Sequence, residues 1–85
     1  MAVSREVLAE IGEFLHGPEW RRALARDLGH HHPQGARVTI DPRLVARWDT
    51  GERDIPEWIA PALVAVLTDR ASQALALARR LQRGV

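Results

Sequence analysis

Apolar positions recur along this chain at helical spacing. Val7, Leu8, Ile11, Phe14 and Leu15 make one stripe, with Glu6, Glu10 and Glu13 on the other side. This predicts a helix over Arg5 to His16, capped by Ser4 and ended by Gly17. Pro18 suits the first position of a second helix, in which Trp20, Leu24 and Leu28 share a face and Gly29 closes the run. Residues 41–50 repeat the arrangement: Asp41 caps, Pro42 leads, Leu44, Val45 and Trp48 point inward, and Gly51 stops the helix. Arg43, Ala46, Arg47 and Thr50 fall on the outward side.

Between these two helices lies an irregular stretch. Pro33 and Gly35 break regular structure, so residues 30–40 are expected to form an exposed loop, with a short extended piece at Arg37 to Ile40. After the turn Gly51 to Asp54, Pro56 to Ala60 is expected to form one helical turn. Pro61 should interrupt anything running through it, which predicts a last helix over 61–82. Leu63, Leu67, Ala71, Ala74, Ala78 and Leu81 step along it by threes and fours, and Val64, Leu75 and Leu77 widen the apolar surface. The half from Ala74 to Leu81 overhangs a small domain and is a candidate dimer seam, although such stripes more often belong to a core. The expected architecture is all-α: one domain over residues 1–85, a small bundle of about five helical segments with a long C-terminal helix.

Length and composition narrow the class. At 85 residues a single domain is the default. There is no Cys, so neither disulfides nor thiolate metal sites contribute, and a reducing, cytoplasmic setting is the natural expectation. Residues 1–20 hold no basic start followed by an apolar run, so no signal peptide is expected. The run Ile59 to Leu67 is too short for a bilayer, and no membrane partner is expected.

Net charge is only +1, but its distribution is uneven. Residues 1–20 carry −3, residues 21–53 carry +3, and residues 54–85 carry +1. All twelve cations are Arg. Guanidinium forks match phosphates and guanine edges better than ammonium groups do, while a GC-rich coding bias yields the same preference.

Three stretches together resemble a known family. Leu24-Ala25-Arg26-Asp27-Leu28-Gly29, then Val45-Ala46-Arg47-Trp48, then Gly51-Glu52-Arg53-Asp54-Ile55-Pro56 are similar to lambda-repressor-like (Cro/C1-type) helix-turn-helix proteins. Phage-derived and mobile-element regulators of bacteria often carry this form. The resemblance spans about residues 18–60. It makes 18–29 the first helix of the motif and 41–50 the recognition helix. Ala25 stands at the small position, Gly29 at the turn glycine, and Val45 and Trp48 at buried positions. The family's turn has about three or four residues, whereas His30 to Thr39 form an unusually long insertion here.

The resemblance implies roles. Asp41, Pro42, Arg43, Ala46 and Arg47 take base- and phosphate-facing positions, with Arg43 and Arg47 as the main base readers. Arg21, Arg22, Arg37 and Arg53 are phosphate-contact candidates. The inserted loop, carrying Arg37, is expected to lie along the DNA backbone or in an adjacent groove.

Each signal has a plainer reading beside it. Trp20, Trp48 and Trp58 offer stacking surfaces but sit on apolar faces, which favours core packing, least clearly for Trp58. His30, His31 and His32, with His16, invite a metal, yet consecutive His residues rarely converge on one ion, so a solvated loop is expected and no metal site. Arg43 and Arg47 also suit a merely solvated surface. No Ser/His/acid order, phosphate-cradling glycine loop or paired buried carboxylates appear, so no enzyme, cofactor or small-molecule substrate is expected. The function expected is a cytoplasmic transcriptional regulator that binds double-stranded DNA sequence-specifically, a repressor acting as a homodimer. The alternative is a protein-interaction module, antitoxin-like or a phage-encoded inhibitor, using the same helices on a protein.

Overall fold

A computed structural model describes residues 3–84 of the chain. They form four helices and no strand: α1 (Arg5–His16), α2 (Trp20–Gly29), α3 (Pro42–Thr50) and α4 (Ile59–Gln82). No described helix is long and apolar enough to cross a membrane.

The ends of α1 and α3 follow local chemistry. The Ser4 hydroxyl accepts from the Val7 N–H at 3.2 Å, and Gly17 leaves α1 with φ of 79°. Asp41 caps α3 by accepting from the Arg43 N–H at 3.0 Å, Pro42 occupies the first turn, and Gly51 closes the helix in the left-handed conformation. The second helix starts at Trp20 rather than Pro18, because Pro18 and Glu19 form a turn that feeds it.

The expected five segments are four. Pro56 to Ala60 is not a separate helical turn, and α4 begins at Ile59, two residues before Pro61. A proline in the first turn of a helix lacks only an N–H that would have no partner there. Pro61 is therefore inside α4 without breaking it.

α2 is the hub: it packs on α1, α3 and α4, and α1 also meets α3. The core is Leu8 and Leu15 of α1, Trp20, Leu24, Ala25 and Leu28 of α2, Ile40, Val45 and Trp48, and Ile59, Ala62, Leu63 and Val66 of α4. Trp20 and Trp48 are both about 1% exposed. Each buried indole removes roughly 150–250 Å² from water, worth roughly 4–6 kcal/mol at ~25 cal/mol per Å².

Trp20 also sets which face of α1 is inside. Gly12 is buried, and a Cβ there would overlap the Trp20 ring, so the indole lies directly on the α1 backbone. The inward line is therefore Leu8, Gly12 and Leu15, not the Val7–Phe14 side of the predicted stripe. Phe14 is 77% exposed and Val7 44%.

Residues 30–39 leave the end of α2 and return to it. The Arg37 N–H donates to the Gly29 carbonyl at 2.8 Å, and the Ile40 N–H donates to the Ala25 carbonyl at 3.1 Å. A Cβ on Gly29 would lie 2.7 Å from Thr39 Cα, so only glycine lets the returning chain cross so close. Ile40 then enters the core. The expected extended piece at Arg37 to Ile40 forms no strand.

Only the first part of α4 is covered. From Thr68 onward every described residue is exposed, and the molecule is drawn out to 49 Å along its long axis.

The Gly12 contact makes a prediction of sign. Alanine for glycine inside a helix ordinarily stabilises by about 0.5–1 kcal/mol. Gly12→Ala should instead destabilise by about 1–3 kcal/mol through overpacking against Trp20. A urea titration followed by Trp fluorescence checks this; an unchanged or higher midpoint contradicts the seating of Trp20 on Gly12.

Candidate nucleic-acid interface

α3 carries nine residues and is held by one side. Val45 and Trp48 are fully buried, and Leu44 is half-buried. A 100° step per residue then puts Pro42, Arg43, Ala46, Arg47 and Thr50 together on the opposite side. Arg43, Arg47 and Thr50 are exposed, while Pro42 and Ala46 are half-buried.

Two further contacts fix the helix. Arg21 of α2 donates Nε to Asp49 Oδ2 at 2.9 Å while its guanidinium lies 4.8 Å from the centre of the Trp20 ring. Arg5 of α1 donates to the Thr50 carbonyl at 2.8 Å, placing a cation where the dipole of α3 favours one. Sequence reasoning missed both. Nothing in the spacing of Arg5, Arg21 or Asp49 marks them as partners.

The base-contact candidates occupy this face but not equally. The Arg43 side chain is 84% exposed and reaches back 3.2 Å to the Asp41 carboxylate. The Arg47 side chain is 48% exposed, with Glu52 at 3.7 Å. Neither is buried against the fold. Asp41 is committed as the cap: hydrogen bonds from the Arg43 side chain, then from its backbone N–H, hold its carboxyl below the ordinary carboxylate value. The same side-chain bond raises the Arg43 guanidinium. Pro42 and Ala46 present only small apolar surface.

The phosphate-contact candidates divide. Arg22 is exposed and has no partner among the described residues. Arg21 is tied to Asp49 and is a structural clamp first. The Arg37 side chain reaches Gln34 Oε1 at 3.4 Å from within the loop, and Arg53 is exposed in the turn after α3. A residue absent from the expected set joins them. Arg26, exposed and without a partner among the described residues, lines a groove of about 360 Å³ with Glu19, Arg21, Arg22, Ala23 and Pro42. That groove runs between α2 and the start of α3, beside Arg43. Arg22 and Arg26 are four residues apart on α2, a spacing that places them on one face.

The histidines do not gather. His32 turns onto Trp58, with ring centres 5.3 Å apart, and pins the loop to the segment before α4. His30 and His31 line a cleft with Asp27, Asp69 and Arg70, and His16 pairs with Asp27. Among the described residues no three His, Cys, Asp or Glu side chains are placed to hold a metal ion. Trp20 and Trp48 are core residues with no face free to stack, while Trp58 is half-buried.

Comparison with family models, characterised proteins and solved structures finds no match to this chain.

The cap makes α3 sensitive to acid. A carboxyl lowered in the folded state contributes stability that is complete above its unfolded value and lost as pH falls through the folded one. Asp41→Asn, which keeps a capping oxygen, should shed that component. Acid unfolding followed by Trp fluorescence should show a shallower loss below about pH 4 in the variant. Identical profiles would mean that the Asp41 carboxylate is not held by Arg43 in solution.

Proposed function

We propose that the chain is a double-stranded DNA-binding regulator in which α2 and α3 act as a helix-turn-helix and α3 enters the major groove. The observation that carries this reading is a capped short helix whose buried side fixes it and whose exposed side offers Arg43 and Arg47, beside Arg22 and Arg26, which have no partner among the described residues. Arg43 and Arg47 read base edges, where a guanidinium fork fits guanine. Arg22, Arg26, Arg37 and Arg53 neutralise phosphates and set register. The long insertion does not count against the motif, because the Gly29–Arg37 bond closes it and Ile40 takes up the path into α3. The regulator acts as a cytoplasmic repressor, binding as a dimer to an inverted repeat with half-sites about one helical turn apart. No cofactor enters the scheme.

A protein partner remains the second reading. It is favoured by the exposed Phe14 and Val7 on α1, flanked by Glu6, Glu10 and Glu13, a surface that would repel a phosphate backbone.

Selection of bound duplexes from a random pool, followed by gel shift at low and moderate salt, tests the proposal. A defined sequence should emerge, and its affinity should fall steeply with salt. Arg43→Ala and Arg47→Ala should each weaken it roughly tenfold or more and relax preference at one base pair. Arg22→Ala and Arg26→Ala should weaken all duplexes alike and flatten the salt slope. A folded protein that retains no duplex refutes the DNA reading and leaves the protein partner.

A further inference from the structure

We infer that Asp41 is a positioning residue for base recognition: its carboxylate grips one edge of the Arg43 guanidinium and so presents another edge to a guanine as a preset two-donor fork. This rests on the DNA reading above and deepens it.

Asp41 and Arg43 meet through three hydrogen bonds. The Arg43 backbone N–H donates to Asp41 Oδ1 at 3.0 Å, which caps α3. Arg43 Nε donates to the same oxygen at 3.3 Å, and Nη2 donates to Oδ2 at 3.2 Å. The last two set a planar guanidinium fork on a planar carboxylate fork. A cap alone needs only one oxygen. The side-chain bond also holds the carboxyl below its ordinary value and the guanidinium above its own, so the pair is ionised at neutral pH.

This contact uses the Nε edge of the guanidinium. Nη1 and the second N–H of Nη2 remain, and together they form the other two-donor edge. The Arg43 side chain is 84% exposed. It lies in the first turn of α3, where a recognition helix contacts base edges. Guanine offers two acceptors in the major groove, N7 and O6, whereas adenine sets a donor beside its N7. A fixed two-donor edge satisfies the first and opposes donor to donor in the second. A loose guanidinium turns to any nearby acceptor, phosphate included, and discriminates less.

Arg47 lacks this arrangement. Its Nε stands 3.7 Å from Glu52 Oε2, beyond hydrogen-bonding distance. The two arginines of one face are therefore unequal: the helix cap orients one and not the other. Asp41 also offsets the charge of Arg43, which tempers attraction to phosphates of any sequence.

Binding constants for wild type, Asp41→Asn and Asp41→Ser test this, on the selected duplex and on versions changed at single base pairs. Both variants keep a capping oxygen. Neither keeps the fork, since Asn turns an NH2 toward Nη2 and Ser has one oxygen. At the pair whose preference Arg43→Ala relaxes, both should lose about tenfold in discrimination. Their affinity for unrelated duplexes should rise, because a negative charge is gone. Preference at the pair read by Arg47 should match wild type, which a general loosening of α3 would not allow. Without DNA, the NMR order parameter of the Arg43 Nε–H group should exceed that of Arg22, which is exposed and has no partner among the described residues, and fall to it in Asp41→Asn. A wild type that retains no duplex removes the DNA reading and this inference with it. A wild type that selects a sequence which both variants discriminate to within about twofold as well overturns this inference alone. So does an equal loss at both base pairs, or a wild-type Arg43 Nε as mobile as that of Arg22.

Discussion

A helix of nine residues does not persist in water by itself. Below ~12–15 residues the cost of nucleation exceeds what the few backbone hydrogen bonds return. The order of α3 is therefore borrowed, and most of the remaining structure can be understood as what supplies it. Trp48 and Val45 seat its inner side in the core, Asp41 and Gly51 close its two ends, and the Arg21–Asp49 pair locks it laterally. Arg5 reaches from α1 to its last carbonyl, that of Thr50. α1 can do this only because it is itself clamped to α2 by the indole of Trp20 resting on Gly12. The outward arginines of α3 stay exposed, Arg43 against the capping Asp41 and Arg47 near Glu52, because the apolar supports act on the opposite side.

The insertion after α2 obeys the same constraint. A free loop of ten residues between two packed helices would leave the start of α3 loosely placed. Here the chain is drawn back to Gly29 before it proceeds, so the distance spanned between α2 and α3 is set by Gly29, Thr39 and Ile40 rather than by loop length. Loop entropy grows only slowly with length, so an excursion closed in this way costs little. His32 against Trp58 ties down the excursion itself.

What was legible in the sequence was local. Ser4, Gly17, Asp41-Pro42 and Gly51 mark helix ends by chemistry acting within a few residues, and those ends were read correctly. Period alone placed Val45, Trp48, Leu24 and Leu28 inside. It failed where a distant residue decides. Phe14 has the spacing of a core residue, but the face of α1 is chosen by Trp20, and the glycine that accommodates the indole carries no hydrophobic signal. Pro61 reads as a breaker unless the helix start is known to lie two residues before it. The groove beside α3 shows the same limit. In sequence Arg26 is one surface arginine among many and gains a place only where α2 meets α3, whereas Arg21 is tied to Asp49.

Charge and shape divide the molecule into regions with different aptitudes. The acids of α1 and the arginines flanking α3 come from different stretches of chain, so the even overall balance conceals a polarised surface. Any polyanion would be drawn toward Arg22, Arg26, Arg43 and Arg47 and away from Glu6, Glu10 and Glu13. α4 adds length without adding core. Its distal half contributes nothing to the support of α3, since it touches none of the residues that hold that helix in place. Its line of Val64, Ala71, Ala74, Ala78 and Leu81 stands about a quarter turn from the core face and lies in solvent.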